Sequence, residues 1–254
     1  MVPVEFSFLE KLKEVQAHMR REINFKPASF ESLVKLEMNE LDQTVYPAIV
    51  LAVCQSCGGE GQKSEALATI VQLIYMADRV HNLMQDDNDI AEELRQFPVL
   101  VGDLLYGKFF LKLCREKLLH FLTPLAQVIG TMSEGGISRW VARDKTLDIE
   151  ETLNIIRLES ASLTAVSARL SADLAGSPLD LQQRLESFGL ELGLAWGAWR
   201  DRLEDRVVQA ILQRAQDILN EISAKFPLQW QPLREVYHYM ALHLSNDYDP
   251  QIGL

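Results

Sequence analysis

Leu83-Met84-Gln85-Asp86-Asp87-Asn88-Asp89 and, shortly after it, Leu100-Val101-Gly102-Asp103-Leu104-Leu105 are the two runs whose reading decides the fold. Upstream of the first, Leu73, Met76, Val80, Leu83 and Met84 recur at three- and four-residue spacing, the period of a helix burying one face. The pattern predicts a helix that starts after Ser64 and runs into the acidic end. Carboxylates at a helix C-terminus oppose the macrodipole, which costs up to about 1 kcal/mol unless a cation or a continued helix relieves it. After Pro98 the helical period resumes through residues 99–105 and continues to about Glu116.

The same period extends outward in both directions. Phe8, Leu9, Leu12, Val15 and Met19 make an amphipathic helix of residues 5–22, and Phe30, Leu33 and Leu36 predict a short one after Ser29. Residues 43–57 are apolar on most sides and contain Pro47, which predicts a central helix stopped at Gly58-Gly59. Further patterns cover 124–142, 148–175, 180–203, 205–225 and 231–245, and the apolar helices at 98–117 and 124–142 are expected in the core. No stretch alternates in the manner of a strand, and no linker or repeat marks a boundary. The reading is an all-α, single-domain helical bundle over residues 1–254.

With 254 residues, 48% of them hydrophobic, the chain can bury one large core. A net charge of −11 disfavours a nucleic-acid partner, whose phosphates need a basic surface. Charges break each apolar run well before the roughly 18 residues of a transmembrane segment. The first residues lack the basic flank and apolar stretch of a signal peptide. A soluble, cytoplasmic protein is expected. Cys54 and Cys57 form a lone CxxC, which fits helix packing better than redox or zinc chemistry. The five histidines have no metalloprotease-like spacing.

The two opening runs, together with Phe188-Gly189-Leu190-Glu191-Leu192-Gly193-Leu194-Ala195-Trp196, resemble the motifs of the trans-isoprenyl (polyprenyl) diphosphate synthases. The first looks like their first aspartate-rich motif and the VGDxLL helix after it. The third is similar to the YGxxLGxAF run before their second aspartate-rich motif. Residues 47–59 are similar to the helix after the family's GGKRLRP motif, and residues 155–174 to the helix bearing its Lys-Thr pair. The resemblance implies a helical bundle of the isoprenoid synthase type and a reaction that ionises an allylic diphosphate with Mg²⁺ held between two DDxxD motifs.

At the matching positions the chain departs from that pattern. Asp86 and Asp87 stand at the head of the first motif, but its last position is Ile90, and Asp89 is the carboxylate one turn from Asp86. Mg²⁺ at Asp86 and Asp87 is therefore possible, with Asp89 assisting. The second motif reads Arg200-Asp201-Arg202-Leu203-Glu204, and Arg200 is expected to pair with Asp86 or Asp87 in place of a metal. Gly197 falls where the family has a glutamine, Glu159-Ser160 where it has Lys-Thr, and residues 41–47 keep only the proline of GGKRLRP. Of the Arg-Arg-Gly segment, Arg95 alone corresponds. Arg95, Arg200 and Asp201 are the substrate-binding candidates. His81, Asp103 and Trp196 are candidates for lining a pocket. For Asp103 the alternatives are a buried carboxylate near the first motif or a partner of Lys108 or Arg95. Trp196 and Trp199, with Trp140 nearby, fit the core better than a ligand site.

Three functional readings follow. The resemblance implies either a non-catalytic or regulatory subunit partnered with a catalytic polyprenyl diphosphate synthase subunit, or a homodimer, with an interface around 98–117 and 124–142. The alternative is a divergent but active Mg²⁺-dependent prenyltransferase or class I terpene-synthase-like enzyme, drawing its basic groups from Arg79, Arg95, Arg139, Arg143 or Arg200. A free-standing prenyl-chain binding protein is a third possibility.

Overall fold

The computed structural model of the chain describes residues 6–23, 40–59, 61–83 and 92–244, with side chains from Leu41 and from Phe97 onward in the second and fourth of these segments. Every regular element among them is helical. The order is α1 (Leu9–Glu22), α2 (Glu40–Ser56), α3 (Gln62–His81), α4 (Glu92–Arg115), a 3₁₀ turn at Leu119–Phe121, α5 (Leu122–Ala142) and α6 (Ile149–Ile156). A π-helical turn at Arg157–Ala161 leads into α7 (Ser162–Leu174), followed by α8 (Leu179–Arg200), α9 (Asp205–Lys225) and α10 (Gln231–His243). The short helix expected after Ser29 lies outside the described residues.

The centre is α2 and α3. From Ala66 to Ala77 every side chain of α3 is buried, because α1, α2, α4 and α7 all pack on it. Apolar residues on all sides of a helix demand such an environment. The interior position expected for residues 43–57 is observed, with Val45 to Cys54 apart from Pro47 all in the hydrophobic core.

α4 and α5 behave differently from the expectation that both are core helices. Each buries one stripe, Val101, Leu105, Phe109 and Leu113 on α4, and Leu125, Val128 and Met132 on α5. Leu100, Leu104, Phe110 and Leu111, with Ile137, Trp140 and Val141 on α5, are exposed. Apolar composition places a helix inside only where neighbours cover all its faces, and these two helices lie at the surface of this chain.

Three boundaries also differ from the sequence reading. α4 begins at Glu92 and runs through Pro98 instead of starting after it, and α5 begins at Leu122, so that Pro124 sits in its first turn, where its missing N–H is not needed. The run at 148–175 is interrupted by the π turn. Its start is well defined: Asp148 accepts from the Glu151 amide at 2.8 Å, and Glu151 accepts from the Asp148 amide at 3.0 Å, a reciprocal cap.

α8 lies against the α6–α7 segment through Gly189, Gly193 and Gly197, four residues apart on one face. A Cβ at Gly189 would be 2.5 Å from the Thr164 carbonyl oxygen, and at Gly193 and Gly197 it would collide with Thr164 and Ile156. Glycine lets the two backbones close up. That contact fixes the end of α8, at Arg200 and Asp201, beside the π turn.

Candidate functional site

The end of α8 and the π turn form one wall of a cleft of about 590 Å³, completed by α3 and α5. The π turn is the local cause of its chemistry. One wider turn re-aims the side chains, so that Glu159 and Ser160 are both buried and Glu159 faces the cleft. α5 reaches this turn because of Gly135, where a Cβ would lie 2.7 Å from Glu159 Cγ and 2.8 Å from its backbone nitrogen. One helical turn later, Arg139 faces the same carboxylate.

Arg139 bridges two carboxylates from two different elements. Its Nε donates to both Glu159 oxygens at 2.8 Å, and its Nη2 lies 2.7 Å from Glu159 Oε2 and 2.7 Å from Asp201 Oδ2. Glu159 and Asp201 are 9% and 15% exposed, against 43% for Arg139. Desolvation works against the guanidinium charge, but the hydrogen bond and charge of Glu159, then those of Asp201, hold its pKa above the ordinary value. Asp201 stands between two guanidinium groups, since Arg200 Nε is 3.9 Å from its other oxygen. Arg200 also donates to Ser160 Oγ at 3.4 Å and lies over the Trp196 ring at 5.8 Å.

α3 supplies Tyr75, Asp78, Arg79, His81 and Asn82. Asp78 is buried beside this cluster and accepts from Asn82 at 3.1 Å. Burial, and after it the negative charge of Glu159, push its carboxyl up to about 6, against the opposing influence of Arg79, Arg200 and Asn82. Beneath the cleft, Tyr46, Tyr75 and Trp196 pack ring to ring with centroids 4.7–5.5 Å apart. Tyr75 donates to Asp42 at 2.6 Å, and burial raises its phenol pKa well above the ordinary value.

Of the residues singled out in the sequence, Arg79, His81, Arg139, Arg143, Arg200 and Asp201 are brought together here. Trp196 is packed in the core and does not line the cleft, whereas Trp140 is exposed at the cleft mouth with the Arg143 guanidinium 4.1 Å above its ring. Asp103 is not a buried carboxylate: it is 66% exposed and lies 3.3 Å from His81 Nε2, and Lys108 pairs with Glu22. His81 lines the cleft and packs over Gly102, with Nε2 3.2 Å from the Val99 carbonyl oxygen. Asp86, Asp87 and Asp89, and the side chain of Arg95, lie outside the described residues. In the sequence Arg139 is one of several candidate basic groups and Glu159 a departure from the family's Lys-Thr pair, with nothing to join them, while Asp78 and Asn82 were missed. Their signal is two polar residues one turn apart at the end of a helix that is buried along most of its length.

Among the described residues the donors do not fit a divalent cation. No group of three or more His, Cys, Asp or Glu side chains is poised for one, and the carboxylates of Glu159 and Asp201 are held by Arg139. Cys54 is buried in helix packing, and burial pushes its thiol up to about 12.

The sequence profile of the polyprenyl synthetase family matches residues 42–205, from α2 to the start of α9. The chain belongs to that family. It is 26% identical over 194 residues to an octaprenyl diphosphate synthase of Haemophilus influenzae, a match covering 72% of this chain and 59% of that protein. The chain thus spans less than two thirds of that relative's length. In fold it is similar to a polyprenyl synthase from Caulobacter crescentus complexed with calcium and isoprenyl diphosphate, with a TM-score of 0.76, 18% identity, and coverage of 94% of this chain and 96% of that one. It is similar as well to a geranyl diphosphate synthase small subunit from Antirrhinum majus, with a TM-score of 0.71, 16% identity, and coverage of 93% and 100%. The polyprenyl synthetase fold is the helical bundle expected from the sequence. Among the described residues no helix is long and apolar enough to cross a membrane.

Proposed function

We propose that this polyprenyl synthetase family chain is a non-catalytic or regulatory subunit of a heteromeric prenyl diphosphate synthase, acting in the cytoplasm beside a catalytic polyprenyl diphosphate synthase subunit. The observation that carries the reading is the Glu159–Arg139–Asp201 bridge. Catalysis in the family, as the resemblance implies it, needs a lysine at position 159 and carboxylates free to hold metal near 200–204. This chain has an anion at 159 and a guanidinium on Asp201. A partly buried bridge of this kind replaces diphosphate and metal contacts with internal ones, each lost charge-assisted contact costing a substrate about 1.5–3 kcal/mol.

The surface of α4 and α5 supports a partner. Leu100, Leu104, Phe110, Leu111, Ile137 and Val141 are exposed on the two helices expected to form an interface, and large apolar side chains left in water there are available to a partner. The likeness in fold to a protein described as a small subunit agrees with this, though at 16% identity it speaks for the fold alone.

The test is to mix the purified chain with a catalytic polyprenyl diphosphate synthase from the same source and follow mass by light scattering and product length by chromatography. A stable mixed complex with altered product length or rate supports the proposal. Two species that stay separate, with unchanged products, refute it.

A further inference from the structure

We infer that Arg139 is a cation built into the cleft in place of a metal: its guanidinium occupies the ground between Glu159 and Asp201 that a divalent ion would need, and excludes such an ion from Asp201. The inference deepens the reading of the chain as a non-catalytic subunit and rests on it for its biological sense, but its geometry stands alone. Four hydrogen-bonding approaches of 2.7–2.8 Å tie one guanidinium to three carboxylate oxygens on two elements. A planar fork makes such a bridge well, whereas a point charge does not. The fourth oxygen, Asp201 Oδ1, is turned to Arg200. Each oxygen of the pair thus faces a fixed positive charge, and a metal would have to displace a side chain that is seated by its own helix.

The seating is built into the fold at three points. Gly135 brings α5 against the Glu159 backbone, the π turn directs Glu159 inward, and the glycine contact of α8 with α6–α7 sets Asp201 beside it. None of these depends on a ligand. A site that arrives neutralised in this way needs no Mg²⁺ to hold its carboxylates together, so the subunit keeps the family's bundle without the family's metal at this wall.

The test reads cation binding rather than turnover. Mn²⁺ is titrated into the 254-residue chain and into Arg139→Gln, Arg139→Lys, Asp201→Asn and Arg139→Gln/Asp201→Asn, and bound ion is counted by electron paramagnetic resonance. Folding of each variant is checked by circular dichroism. Any Mn²⁺ taken up by the wild type, for example at Asp86 and Asp87, should be unaffected by Asp201→Asn. Arg139→Gln should gain a site at least tenfold tighter than the wild type shows at this wall, and Arg139→Gln/Asp201→Asn should lose it. Arg139→Lys keeps the charge and should gain none.

Weaker Mn²⁺ binding in Asp201→Asn alone would show that Asp201 already serves a metal, and a folded Arg139→Gln that gains no site would show that Arg139 stands in for nothing. Either result overturns the inference. Should Arg139→Gln not fold, the comparison of wild type with Asp201→Asn decides the matter. A chain without turnover whose Arg139→Gln variant gains no site would defeat this inference and leave the subunit proposal standing, while turnover by a chain whose Mn²⁺ binding ignores Asp201 would do the reverse.

Discussion

Arg139 and Glu159 meet side-on, with Nε 2.8 Å from both carboxylate oxygens and Nη2 2.7 Å from one of them. Removing the arginine strands a carboxylate that is 9% exposed. Breaking a fully buried pair costs about 3–5 kcal/mol; with Arg139 at 43% exposure the cost is smaller, and Arg139→Ala should destabilise by about 2 kcal/mol. Arg139→Met/Glu159→Met should recover part of that loss, because the apolar pair needs no counter-charge while Asp201 keeps Arg200 alone. Urea midpoints of both variants check this, and a double variant less stable than the single one would count against it.

Asp78 makes stability depend on pH. Its folded carboxyl is raised to about 6, above the ordinary aspartate value, so the folded state binds the proton more tightly than the unfolded chain does. The stabilisation from that proton is complete below about pH 4 and is lost as pH rises through about 6. Asp78→Asn cannot ionise, so at pH 8 it should be more stable than the wild type by about 1–3 kcal/mol, with little difference at pH 4. Thermal unfolding at the two pH values measures it. An equal effect at both would rule the mechanism out.

Close approach at Gly189 on α8 and open space at Gly130 on α5 predict opposite outcomes for two glycines. Gly189→Ala drives a methyl toward the Thr164 carbonyl, and overpacking of about 1–3 kcal/mol should outweigh the roughly 1 kcal/mol gain in helix propensity. Gly130→Ala meets no atom within 4 Å and should stabilise by about 0.5–1 kcal/mol. Denaturant titration separates them by sign.

The exposed faces of α4 and α5 predict a surface effect without a folding effect. Leu100→Glu/Leu111→Glu should leave the stability of the isolated chain within about 0.5 kcal/mol, since both positions are exposed. Association with a catalytic subunit should weaken at least tenfold, as read by light scattering or calorimetry. Unchanged association would move the interface elsewhere.

The helices were legible because burial imposes a period, and nearly every predicted element reappears within a few residues. Pro98 misled because a proline so often opens a helix, yet α4 carries it internally. The π turn was hidden because residues 148–175 keep an apolar rhythm across it, while the turn itself arises from how the segment meets α5 and α8. The site was legible only in part. Glu159 and Asp201 could be aligned with family motifs one at a time, but nothing local in the sequence says that Arg139, on another helix, closes the pair. Asp78 was obscured by the apolar run around it.

The most direct test is prenyl transfer by the purified chain alone, with labelled isopentenyl diphosphate, an allylic diphosphate and Mg²⁺, beside the same reaction containing a catalytic polyprenyl synthase. The account predicts no product from the chain alone and product of altered amount or length in the mixture. Product from the chain alone, absent from a preparation of the Asp86→Asn/Asp87→Asn variant, would contradict it and establish an active enzyme.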